Sequence, residues 1–71
     1  MTTFMQAAAN WPEDEGRASA KHWNEVIRFE DKAYRDEWLA KEQARWKLIF
    51  EDESHFDRYC AEFLKLRIAE L

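Results

Sequence analysis

The chain has 71 residues, 46% of them apolar and 37% charged, with one Gly, one Pro and one Cys. That composition excludes collagen-like, low-complexity and disulfide-stapled proteins, and it leaves too few turn residues for an all-β fold. Fifteen acidic against eleven basic side chains give a net charge of -4, the wrong sign for a generic nucleic-acid binder, whose affinity comes largely from phosphate neutralisation.

Residues 2–10 have the pattern of a short helix, with Asn10 an acceptable stop and Pro12 disfavouring helical geometry at Trp11. Trp11-Pro12-Glu13-Asp14-Glu15 then reads as a new start, with Pro in the first turn and carboxylates at the positive end of the helix dipole. Gly16 weakens continuity, so the long helix is expected to begin either at Pro12 or near Arg17. From there to Glu51 no Pro or further Gly interrupts the chain, which predicts a helix roughly 50 Å long. Asp31 with Arg35 and Glu37 with Lys41 have the spacing and order of favourable ion pairs. A second break is expected at Asp52-Glu53-Ser54-His55, where Asp52 or Ser54 caps a new helix and Asp57 completes a capping box with Ser54. The last helix is expected to run on to the final residue, with Phe56, Tyr59, Cys60, Phe63 and Leu64 as its apolar stripe, widened by Leu66, Ile68 and Leu71.

The long helix changes face along its length. Trp23, Val26, Ile27, Ala33, Tyr34 and Trp38 project to one side, opposite a basic stripe of Lys21, Arg28, Lys32 and Arg35 that Arg17 extends. Beyond residue 38 the pattern inverts, and Leu39, Trp46 and Phe50 take the azimuth the basic stripe held. Two arrangements fit: a break or kink near residues 35–39 giving a three-helix bundle, or a straight helix offering opposite faces to different partners. A last helix half as long covers only one of those faces, and a domain this small usually needs a disulfide, a metal or a partner chain. Cys60 has no second cysteine to pair with. The expected fold is therefore all-α, a long helix followed by a shorter C-terminal helix as a helical hairpin or three-helix bundle. It is expected to be a homodimer with Trp23, Ile27, Tyr34, Trp38, Leu39, Trp46 and Phe50 at the interface. Residues 1–71 form one small domain in this reading. Residues 1–11 are its mobile N-terminal arm, whose Phe4, Met5 and Trp11 are candidates for recognising another protein.

No residue pattern names a reaction, and no catalytic, cofactor or metal site is expected. Ser19 and Ser54 read as helix-start residues, and His55 beside Ser54 points about 100° away on a helix. Cys60 sits on an apolar stripe, where a small buried hydrophobe is the usual role. His22-x-x-Glu25 and Asp52-x-x-His55 fall short of a bundle di-metal motif, the first in order and the second in residue type. Glu30 and Glu37 interrupt the apolar face, and Lys41 is the obvious partner for such a carboxylate. The basic stripe is the solvated side of an amphipathic helix, with weak DNA binding as a further reading. An acidic mimic of nucleic acid, built on Glu13-Asp14-Glu15, Glu51-Asp52-Glu53 and Asp57, is the alternative, and the eleven basic side chains speak against it. The function expected is protein–protein interaction without catalysis. Four tryptophans exceed what so small a core needs, so at least one is expected at an interface. No apolar run nears the roughly 18 residues of a membrane span, and no basic-then-apolar leader opens the sequence, so a soluble cytoplasmic protein is expected.

Two stretches, Met1-Thr-Thr-Phe-Met-Gln-Ala-Ala-Ala-Asn-Trp-Pro and Arg35-Asp-Glu-Trp-Leu-Ala-Lys-Glu-Gln-Ala-Arg-Trp, give the chain a further likeness. In size and style it resembles the short helical early accessory proteins that lambda-like temperate bacteriophages carry between their recombination and excision genes. The resemblance implies production early in infection and action in the bacterial cytoplasm, through contacts with host or phage regulators of development. It carries no catalytic or ligand motif.

Overall fold

A computed structural model describes residues 2–69, with side chains from Asn10 onward. Three helices follow one another: α1 over Thr2–Glu25, α2 over Lys32–Ile49 and α3 over Glu53–Leu66, with a single 3-10 turn over Ile27–Phe29. Among the described residues there is no strand.

The break before α3 lies where the capping residues place it. Asp52 is the N-cap, and its carboxylate accepts from the Ser54 backbone N–H at 2.8 Å and from the Ser54 hydroxyl at 2.7 Å. Ser54 is thus a ligand of the cap rather than the cap, and the box with Asp57 is not the one used. The helix ends at Leu66, short of the expected run to the final residue.

The long helix expected between Arg17 and Glu51 is instead two helices. It divides at residues 26–31, while the alternative break near 35–39 is absent because α2 crosses those residues intact. Val26 leaves helical geometry, Glu30 is extended, and the Asp31 carboxylate accepts from the Tyr34 N–H at 2.9 Å to start α2 afresh. Asp31 therefore caps rather than pairing along a helix with Arg35. Two β-branched residues, Val26 and Ile27, weaken the helix just before this cap. Turning back here also lays Trp38 and Leu39 of α2 on buried Trp23 and Ile27, apolar surface that a straight helix would leave wet.

At the other end, α1 passes through Pro12 without stopping. An interior proline costs a helix about 3 kcal/mol, and here the ring is almost wholly buried, which offsets part of that cost. The acidic triplet Glu13-Asp14-Glu15 accordingly lies inside α1 and not at a helix start. Its members find cations instead: Glu13 meets Arg58 of α3 in a two-pronged pair at 2.7 Å for each prong, and Asp14 meets Arg17 at 3.3 Å.

α1 and α3 lie side by side and parallel, with Glu13 against Arg58 at one end and Asn24 against Leu66 and Ile68 at the other. Gly16 is where they touch most closely, because a Cβ there would lie 2.6 Å from the Tyr59 carbonyl oxygen and 2.9 Å from the Glu62 Cβ. α2 runs antiparallel to both and is held mainly through large side chains. Trp38 packs on Trp23 and Phe63 with ring centroids 5.9 and 6.2 Å apart, and Trp46 on Tyr59 at 5.4 Å. The interior consequently falls into two clusters. Ala20, Trp23, Ile27 and Phe63 form one, and Trp46, Phe50 and Tyr59 the other, the latter flanked by Phe56 and Cys60.

Candidate functional site

Buried in the middle of α1 is Ser19, which the sequence pattern assigns to a helix start. It links the three helices. The Tyr59 hydroxyl of α3 donates to Ser19 Oγ at 2.9 Å, and Ser19 Oγ donates to Glu42 Oε2 of α2 at 3.1 Å. The Trp46 indole N–H donates to the same carboxylate oxygen at 3.2 Å, and Arg45 closes on Glu42 Oε1 at 3.1 Å. A cleft of about 340 Å³ opens beside this network between α1 and α2, lined among others by Glu15, His22, Trp38 and Glu42. The carboxylate of Glu42 thus accepts from Ser19 and Trp46 and pairs with Arg45. Through these contacts Glu42 ties α2 to α1 and, by way of Ser19, to Tyr59 of α3.

Burial pushes the Tyr59 pKa up to about 12, against the lowering effect of its hydrogen bond to Ser19. The ionised phenolate would have to accept from Ser19 instead of donating to it, and it would stand near the Glu42 carboxylate, which raises the pKa further. In the unfolded chain the group titrates near 10, so the stability it supplies is complete below that pH and is lost as pH rises toward 12. The expected loss over this window is about 2 kcal/mol, read as unfolding free energy against pH. Tyr59→Phe should flatten that alkaline decline, at a cost of about 1 kcal/mol near neutrality from the missing hydrogen bond. A decline of equal size in the variant would assign it to other groups.

Elsewhere the electrostatics serve the fold. The Arg58 guanidinium holds the Glu13 carboxyl below its ordinary range, and the hydrogen bonds from Ser54 do the same for Asp52. Burial, with Asp57 nearby, pushes the Cys60 thiol up, so it remains protonated near neutrality. Asp52 and His55 approach to only 4.0 Å, and among the described residues no three His, Cys, Asp or Glu side chains gather as metal ligands would.

The residues expected at a dimer interface divide into three groups. Trp23, Ile27, Trp46 and Phe50 are buried within the single chain, because α2 folds back and α3 covers them. Trp38 and Leu39 are half-buried against the first cluster. Tyr34 alone faces outward. Of the candidates for partner recognition, Trp11 lies within α1, 38% exposed, with its ring 4.7 Å from that of Phe50. The side chains of Phe4 and Met5 lie outside the described residues. The basic stripe is dispersed by the turn: Arg17 pairs with Asp14 and Glu62 on the α1–α3 side, while Lys32 and Arg35 move to α2.

Outward on α2 is a face the sequence pattern hid. Tyr34, Lys41 and Leu48 recur at seven-residue intervals, with Glu37 and Ala44 between them, all exposed. Leu48 is 83% exposed, the most exposed of the large apolar side chains. Glu37 and Lys41 pair at 2.9 Å in the centre of this face, as their spacing predicted. Glu42 is not singled out by the sequence patterns above, although its signal is present. It stands four residues from both Trp38 and Trp46, an acid on an apolar azimuth that needs donors. Comparison with known protein families, curated proteins and solved structures finds no match to the chain.

Proposed function

We propose that the chain is a non-enzymatic protein–protein interaction module that pairs with a second copy of itself through the outer face of α2. The observation that carries this is the heptad-spaced stripe Tyr34, Lys41, Leu48, which no other part of the described chain covers. Seven-residue spacing is the repeat with which helices pack along one another. The stripe is also self-complementary. In an antiparallel pair centred on Lys41, Tyr34 of each copy meets Leu48 of the other, and the two Lys41 side chains face each other with a Glu37 one turn away on either side to offset their charge. The dimer expected from sequence is thereby kept and its interface moved from the tryptophans to this face. The resemblance to early phage accessory proteins supports placing such a module in the bacterial cytoplasm, acting on host or phage regulators. Among the described residues no helix is long and apolar enough to cross a membrane.

Sedimentation of the full chain at high micromolar concentration should show a dimer. Leu48→Asp should yield a folded monomer, since so exposed a side chain contributes little to the interior. Glu37→Lys should weaken the dimer, and adding Lys41→Glu in the same chain should restore it. A wild-type monomer at that concentration, or a dimer indifferent to Leu48→Asp, removes the reading.

A further inference from the structure

We infer that a cleft beneath the turn joining α1 to α2 binds a small organic oxyanion, a phosphate- or carboxylate-bearing molecule with an apolar body. The cleft is an open concavity of about 440 Å³, within the range of small-ligand sites, and is lined by Trp23, Lys32, Arg35, Asp36, Leu39, Arg67 and Ala69. It lies on the opposite side of α2 from the Tyr34–Leu48 face, so the two surfaces do not compete.

The charge here is unusual for this protein. Arg17, Arg45 and Arg58 each meet a carboxylate. Arg28 spends its Nε–H on the Asn24 carbonyl at 2.9 Å. Arg35 and Arg67 have no carboxylate partner among the described residues, although both are half-buried. Arg35 reaches only the Arg28 carbonyl, at 3.5 Å, and Arg67 lies over the rings of Trp23 and Phe63 at 5.3 and 5.7 Å. Lys32 is held at the rim by Asp36 at 2.6 Å. Two partly desolvated guanidinium groups facing one cavity repel each other and concentrate positive potential in it. Their planar forks match the oxygens of a phosphate or carboxylate. Trp23 and Leu39 supply an apolar floor for the body of the molecule, and Asp36 disfavours a second acidic group near the rim.

The site is a concavity and not a track. Arg17 and Lys21, which a phosphate chain would need in line with it, stand on α1, and Arg17 is held there by Asp14 and Glu62. A small ligand therefore suits it better than a nucleic acid.

The test follows the Trp23 indole N–H, which donates to the Ile68 carbonyl at 2.8 Å at the edge of this cleft, by NMR of the full chain. Phenyl phosphate, benzoate and inorganic phosphate are titrated separately, which distinguishes the two oxyanions and the contribution of the apolar floor. Saturable movement of this resonance is expected, strongest for a probe that carries a ring. Arg35→Gln and Arg67→Gln should each weaken it about tenfold. Arg35 makes no strong internal contact, so its variant should remain folded even if Arg67→Gln does not. An unmoved indole resonance, an unchanged affinity in Arg35→Gln, or tighter binding of duplex DNA to the same residues overturns the inference.

Discussion

Replacing Gly16 by alanine is expected to destabilise the protein by up to about 2 kcal/mol, although alanine is the better helix former. The added Cβ would stand 2.6 Å from a backbone oxygen of α3, too close for any side-chain rotation to relieve. Overpacking of this kind costs about 1–3 kcal/mol, against which the gain in helix propensity returns about 1 kcal/mol. Each kcal/mol moves the thermal midpoint of a domain this size by roughly 4–8 °C. Gly16→Leu should prevent α1 and α3 from docking and leave the chain largely unfolded. Thermal melts followed by circular dichroism decide the matter. A Gly16→Ala protein that melts higher than the wild type would mean that the two helices do not meet at this point.

Trp46→Ala should have one of the largest effects among single truncations. The side chain is buried, its ring is 5.3 Å from Phe50 and 5.4 Å from Tyr59, and its N–H satisfies Glu42. Removing it costs about 3–5 kcal/mol, close to all that an unaided core of this size supplies. The variant should be unfolded at every concentration, because the packing that Trp46 supplies lies within one chain. Trp46→Phe keeps most of the ring packing and should lose only about 1 kcal/mol with the hydrogen bond. If Trp46→Ala instead remained helical and merely monomeric, Trp46 would belong to an interface between copies.

The helical class and the break before α3 were legible because each is a local property. Composition settles the first; for the second the sequence narrows the cap to Asp52 or Ser54, and the hydrogen bonds from Ser54 to the Asp52 carboxylate decide between them. The turn at residues 26–31 was not legible in the same way. It contains neither Gly nor Pro, and Asp31 has the spacing of an ion pair as well as the chemistry of a cap. What decides between them is the burial gained when Trp38 folds onto Trp23, a distant pairing that periodicity does not reveal. Gly16 and Pro12 misled for the same reason. Read locally they interrupt a helix, whereas in the fold one admits α3 and the other is buried. The inversion of the apolar face after residue 38 was a sound observation with a different cause. α2 turns one azimuth to the interior and leaves Tyr34 and Leu48 outside.

The parallel pairing of α1 with α3 fixes when the fold becomes complete. Its ties span most of the chain: Arg58 to Glu13, and Asn24 to the Leu66 carbonyl and the Ile68 N–H. A nascent chain leaving the ribosome therefore presents α1 well before its closest neighbour, α3. Until residues 53–68 emerge, Ala20 and Trp23 have only α2 to shield them, and Gly16 faces water. Closing so long a loop is the slow, entropically costly step of a small helical domain. Ribosome-bound intermediates would leave α1 open to proteases until residues 53–68 had followed it out.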